Sequence, residues 1–187
     1  MDLLIEKTEL DGVICITPPR FGDDRGYFSE TWNQERFVQA GLPRDFSQDN
    51  HSFSSHLNTL RGLHYQAPPY AQGKLVRCGR GRIWDVAVDI RKNSKTYGAW
   101  TATELSFENR KQIWIPAGFL HGFLTLEDET EVFYKCTHPY VPAADGVIAW
   151  DSCGIDWPLA GAPIVSEKDG SAVAFSDFSS PFEPELF

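Results

Sequence analysis

The sequence predicts an all-β protein, an antiparallel barrel or sandwich, on three observations. Short segments of alternating polarity recur along most of the chain, turn-forming residues separate them, and only one stretch has helical character. Strands that follow one another without intervening helices lack the crossovers a parallel sheet requires.

In chain order the strand candidates begin at residues 13–17 and 27–32. Residues 33–40 read as a short helix, with Asn33 placed to cap its first turn and Gly41 to stop it. The next strand candidate is 46–53, and His64, in the run Leu60-Arg61-Gly62-Leu63-His64-Tyr65-Gln66, falls on another. Residues 74–78 end at the turn signal of residues 79–81. Residues 83–90 (IWDVAVDI) set Trp84, Val86, Val88 and Ile90 on one face and Asp85 and Asp89 on the other, the pattern of a half-buried strand. After the Asn93-Ser94 turn come 101–105 and 112–115, then the turn Pro116-Ala117-Gly118, then 119–126. Residues 129–137 alternate again, with Val132, Tyr134 and Cys136 opposite Glu131, Phe133 and Lys135. Residues 147–150 form the last strand candidate, and from about residue 166 the pattern dissolves into loop with a short helical piece.

A chain of 187 residues with 42% hydrophobic, 23% charged and 13% aromatic residues is expected to form a single soluble domain over residues 1–187. The net charge of −9 argues against nucleic-acid binding, which needs a basic footprint. That charge is uneven: residues 61–111 hold ten Lys and Arg against four Asp and Glu, a local +6, and the remainder carries −15. A basic segment in an acidic protein is either ordinary surface or a site for a small anion. The four cysteines, at 15, 78, 136 and 153, have neither metal-ribbon nor disulfide-framework spacing, so reduced thiols in the cytoplasm are expected. The N-terminal MDLLIEKTELDGV lacks a secretory pattern, and no apolar run reaches the ~20 residues that cross a bilayer. No membrane association is expected.

Three runs carry candidate chemistry. His64 beside Arg61 pairs a group that titrates near neutrality with an anion ligand, although a lone histidine is more often structural. In Ile115-Pro116-Ala117-Gly118-Phe119-Leu120-His121, a Pro–Gly turn delivers His121 onto the start of a strand. Its P-x-G-x-x-H pattern resembles the second half of the metal signature of cupins, a double-sheet barrel family. The first half is incomplete, because His64-Tyr65-Gln66 stands where H-x-H is needed. With five histidines and no pair at i, i+2 or i, i+4, no metal and no cofactor are expected. The third run pairs Tyr134 with the distant Ser166-Glu167-Lys168-Asp169. Taken alone, Tyr134 reads as a core aromatic.

The ordered combination QDNHS, RGLHYQ, KLVR, IPAGFLHGF, FYKCTHPY and GIDWP, spanning roughly residues 21–169, is similar to the dTDP-4-dehydrorhamnose 3,5-epimerases. The resemblance implies a double-stranded β-helix barrel of the jelly-roll or cupin type with a few short peripheral helices. It also implies a metal-free homodimer that exchanges N-terminal strands and acts on a dTDP-linked 4-keto-6-deoxy sugar. It makes His64 the proton acceptor, Asp169 the carboxylate that holds it, Lys74 the cation at the 4-keto oxygen and Tyr134 the proton donor. Arg25, Phe28, Glu30, Gln48, Asn50, Arg61, His121, Tyr140, Asp145 and Lys168 become substrate ligands, with Phe28 and Tyr140 as stacking partners. Arg25 and Glu30 are expected to reach the site of the other subunit. Asp145 departs from the Glu usual at its position in the family. A single-carbon epimerase, an epimerase of another nucleotide-linked 4-keto sugar, a non-catalytic sugar-nucleotide binder and a metal-dependent oxygenase are the competing readings.

Overall fold

The computed structural model describes residues 2–183. In chain order the elements are β1 (Leu4–Lys7), β2 (Ile14–Thr17), β3 (Phe21–Asp23), β4 (Gly26–Phe28), α1 (Gln34–Gln39), β5 (Gln48–Ser54), β6 (Leu60–Gln66) and β7 (Lys74–Arg80). They continue with β8 (Arg82–Asp89), β9 (Trp100–Ser106), β10 (Gln112–Ile115), β11 (Phe119–Thr125), β12 (Thr130–Cys136), β13 (Asp145–Val147) and α2 (Glu167–Gly170). One sheet has the order β1-β2-β10-β7-β12-β5 and the other β13-β6-β11-β8-β9, while β3 and β4 form a separate hairpin. The named strands pair antiparallel throughout. This is the expected all-β jelly roll.

Three apolar layers hold it together. Between the sheets, Val76, Ile113 and Val132 of the first meet Ile83, Leu105 and Phe123 of the second. Outside the first sheet, Phe37 of α1 packs with Ile16, Leu75 and Trp114. Outside the second, Val86, Val88 and Ile90 are covered by Ile148 and Phe182, with Phe175 and Phe178 packed alongside. Burying such side chains contributes about 1.5–3 kcal/mol each relative to exposure, so both outer covers belong to the core.

That arrangement corrects the reading of β8 as half-buried. Its Val86/Val88/Ile90 face points outward against the C-terminal segment, while Asp85 and Asp89 are fully buried. The acidic face survives burial because it is bonded: Asp89 accepts from Arg91, Ser94 and Thr96, and Asp85 meets His121.

Elsewhere the local signals carry through. Asn33 accepts a hydrogen bond from the Arg36 amide at 3.1 Å, capping α1 as expected, and Gly41 follows the helix at φ +86. The candidate strand at 27–32 is shorter, because Trp32 leaves it to pack edge-on against Phe37 and Phe46. The candidate at 147–150 overlaps β13 only at Val147, and Ile148 instead bridges to Val173 of the C-terminal segment. That segment includes α2 and a 3₁₀ turn at Phe175–Asp177, and residues 184–187 of it lie outside the described residues.

Candidate active site

Two cavities of about 450 Å³ and 380 Å³ open between the sheets and share four wall residues, His64, Lys74, Tyr134 and Lys168, so they are two chambers of one site. Strand register explains which side chains enter. Across β5, β12 and β7, Gln48, Cys136 and Lys74 form one cross-strand row, and Asn50 with Tyr134 begins the next. Residues two apart on a strand share a face, so one inner face presents all five.

On the opposite sheet the pairing needs an irregularity. Arg61 and His64 are three residues apart and would point to opposite faces of a regular strand. However, His64 pairs with His121 while Arg61 pairs with Phe123, so β6 carries one residue more than β11 over this stretch. The bulge turns both Arg61 and His64 into the larger chamber. Gly62 sits at its centre with φ +117, and a Cβ there would lie 2.7 Å from the Gly122 Cα and the His121 carbonyl oxygen. Only glycine fits both constraints.

His64 Nε2 lies 2.6 Å from Asp169 Oδ1. The aspartate is only 4% exposed, and its second oxygen accepts from the Gly62 amide at 3.4 Å. Its own amide donates to Ser166 Oγ at the start of α2. Burial pushes the Asp169 carboxyl up, but the His64 bond and charge and the amide together hold it below its usual value. With Nε2–H donating to Asp169, His64 Nδ1 keeps the lone pair that can accept a proton.

Behind His64 stands a second buried pair, His121 Nε2 at 3.0 and 3.1 Å from the two Asp85 oxygens. Burial lowers the His121 pKa, with Asp85 opposing. Asp85 is a site-supporting residue that the sequence pattern set on the face opposite the apolar side chains of β8, and no local signal marked it for the interior. Burial also lowers the Lys74 pKa, and it raises that of Tyr134, which Arg61 partly offsets. Tyr134 comes from the sheet facing His64, and so does Lys74.

The smaller chamber is lined by Gln48, Asn50, Tyr140, Asp145 and Lys168 among others. Two buried or half-buried glutamines missed in the sequence shape it. Gln66 accepts from the Val141 amide at 2.8 Å and donates to the Pro139 carbonyl, while Gln72 donates to the His138 carbonyl. Together they fix the segment bearing Tyr140.

Eleven of the expected site residues thus converge. Arg25, Phe28 and Glu30 do not: they lie on or just beyond the exposed β3–β4 hairpin and line neither chamber. Arg25 is ion-paired to Asp23 within the hairpin and Glu30 to Arg36, while Phe28 is 66% exposed. Half of the basic segment is otherwise engaged: Arg80, Arg82, Arg91, Lys92 and Lys111 pair with carboxylates. Among the described residues Arg61, Lys74, Arg77, Lys95 and Arg110 have no such partner, and of these Arg61 and Lys74 line the larger chamber. Among the described residues no three His, Cys, Asp or Glu side chains cluster as metal ligands.

The geometry offers a carboxylate-supported base, a facing phenol and three cations, Arg61, Lys74 and Lys168, in one cavity. Comparison with known proteins gives it context. The family profile described as dTDP-4-dehydrorhamnose 3,5-epimerase matches residues 7–177. The dTDP-4-dehydrorhamnose 3,5-epimerase of Methanothermobacter thermautotrophicus is 55% identical over 167 residues, covering 87% of this chain and 89% of the relative. The dTDP-6-deoxy-D-glucose-3,5-epimerase of Legionella pneumophila, solved with dTDP-4-keto-L-rhamnose, is 40% identical with a TM-score of 0.91 over 95% of each chain. A 3'-monoepimerase from Streptomyces bikiniensis, solved with dTDP-quinovose, is 32% identical with a TM-score of 0.85 over 94% of this chain and 88% of that one.

Proposed function

Because this chain belongs to the dTDP-4-dehydrorhamnose 3,5-epimerase family, we propose that its His64, Tyr134, Lys74 and Asp169 carry out that family's reaction. The protein is an isomerase, which inverts C3 and C5 of dTDP-4-dehydro-6-deoxy-D-glucose to give dTDP-4-dehydro-L-rhamnose.

The C–H bonds at C3 and C5 are both alpha to the 4-keto group, so removing either proton sends the electron pair to the ketone oxygen as an enolate. His64 Nδ1 accepts the proton, and Asp169 stabilises the imidazolium that forms. Lys74 meets the oxyanion; an ammonium that burial disfavours gains most when an anion develops beside it. Inversion needs a proton on the other face, and Tyr134, from the facing sheet, delivers it. The raised Tyr134 pKa keeps the phenol protonated until an enolate calls for the proton. His121, held by Asp85, backs the sugar pocket. Arg61 and Lys168 take the diphosphate through charge-assisted hydrogen bonds. Gln48 and Asn50 present paired donors and acceptors to the pyrimidine edge, and Tyr140 stacks on the base. Asp145 lines the same chamber.

The observation that carries this reading is the His64–Asp169 pair at 2.6 Å in a cavity that also holds Tyr134 and Lys74. Product analysis by NMR tests it: inversion at both carbons is expected. Inversion at C3 alone, as the monoepimerase relative's name describes, would establish the single-carbon alternative instead.

The single domain acts as a homodimer in which Arg25, Phe28 and Glu30 of the exposed hairpin complete the site of the other subunit. Support comes from that hairpin, whose side chains are exposed in the protomer. Mixing an inactive Arg25→Ala protein with inactive His64→Asn should restore part of the activity. No recovery after subunit exchange would contradict the shared site. The four free cysteines fit the reducing cytoplasm; recovery of the enzyme in a membrane or secreted fraction would contradict that placement.

A further inference from the structure

A continuous polar chain runs along the smaller chamber. Gln48 Nε2 donates to Asn50 Oδ1 at 2.8 Å, and the Tyr140 amide donates to Gln48 Oε1 at 2.8 Å. At the far end of the same residue, the Tyr140 hydroxyl donates to Asp145 Oδ2 at 2.8 Å, and Lys168 Nζ donates to that same oxygen. Tyr140 is 53% exposed, so packing does little to fix its ring. Its orientation depends on the two polar anchors, at its amide and at its hydroxyl. The Asp145 side chain is only 14% exposed and sits at the start of β13, opposite Gln66 of β6. It is therefore the rigid end of the chain.

A bare carboxylate beside the site of a diphosphate ligand would repel it. Here the one oxygen is already engaged by a phenol O–H and an ammonium. We infer that Asp145 is a positioning residue, which acts on the nucleotide by locking the Tyr140 ring and the Lys168 ammonium in place rather than by touching it. This deepens the reading of the site as a dTDP-sugar pocket and rests on it. It also gives the shorter side chain of Asp145 a purpose, since its reach is taken up by Tyr140 and Lys168.

Thymidine diphosphate binding to the full-length protein, measured by calorimetry, tests the inference. Asp145→Ala should weaken binding by about five- to tenfold, the scale of one lost intramolecular hydrogen bond. Charge removal alone would tighten it. Asp145→Asn keeps an oxygen for the tyrosine hydroxyl and should bind at least as well as about half the native affinity. Tyr140→Phe should weaken binding by no more than Asp145→Ala, which also frees Lys168, and the double variant should be no weaker than Asp145→Ala alone, because the tyrosine link is already lost there. Unchanged or tighter binding by Asp145→Ala, an Asp145→Asn as weak as Asp145→Ala, or additive losses in the double variant would each overturn the inference. The Asn and Phe variants keep the test valid if the alanine protein does not fold. Binding alone is read, so the outcome is separable from the epimerase reading. Normal wild-type proton exchange with an additive cycle overturns only this inference, and a coupled cycle without exchange overturns only the catalytic assignment.

Discussion

Replacing Gly62 by alanine strikes the bulge that brings Arg61 and His64 to one face. Its φ of +117 lies where L side chains are strained, at a cost of about 1–3 kcal/mol. The new Cβ would also lie 2.7 Å from two backbone atoms of β11, whereas carbon contacts are comfortable at about 3.5–4.0 Å. Because backbone rather than a flexible side chain is in the way, β6 and β11 must part by about 1 Å or the bulge must move, a further ~1–3 kcal/mol. Central values sum to about 4 kcal/mol, or roughly 12 °C in melting temperature for a domain this size. Gly26→Ala is the matched control: its φ is +129, yet nothing lies within 4 Å of the added Cβ. It carries only the backbone cost, about 2 kcal/mol. His64 is two residues from Gly62, and a misplacement near 1 Å can reduce turnover about 10²-fold. Thermal unfolding and turnover below the transition are the assays. A Gly62→Ala protein no less stable than Gly26→Ala, with native turnover, would refute the close-approach argument.

Three further outcomes are expected. Lys74→Met should raise the melting temperature by about 2–4 °C, since a burial-penalised ammonium is removed, while proton exchange falls at least ~10²-fold; lower stability with activity retained would contradict both parts. Tyr134→Phe should keep exchange at the carbon facing His64 but lose inverted product by about 10²–10⁴-fold, because the ring remains and only the donor is gone. Full product formation would remove Tyr134 from its role. The native Asp169 carboxyl lies below its ordinary value near ~3.9, so the stability from its bonds is intact above that pH and is lost as pH falls through the native value. Denaturant unfolding at pH 7 and pH 3 should therefore show the gap between wild type and Asp169→Asn narrowing in acid, and a gap that widens would reverse the assignment.

Local signals in the sequence anticipated local structure well. Asn33 and Gly41 bracket α1, and β10 runs over Gln112–Ile115, the bounds expected for that strand. The convergence of Gln48, Asn50, Tyr134 and Lys74 follows from period-2 spacing once their strands are paired. Non-local effects were hidden. Nothing near β8 announces that Phe182 and its neighbours, some ninety residues later, cover its apolar face and leave Asp85 and Asp89 inside. Period-2 reasoning separates Arg61 from His64, and only the bulge against β11 reunites them. Gln66 and Gln72 support backbone some seventy residues away, a contact that no short motif encodes. The exposed hairpin residues Arg25, Phe28 and Glu30 came from family resemblance alone, and the protomer gives them no place in its own chambers.

The central claim is that His64 removes the protons alpha to the 4-keto group of a dTDP-linked sugar at two carbons. Incubation of the substrate in deuterated water, followed by mass and NMR analysis, tests it most directly. Wild type should place deuterium at both C3 and C5, and His64→Asn should place it at neither while still binding thymidine diphosphate. Label at a single carbon in the wild type, or continued labelling by His64→Asn, would contradict the account.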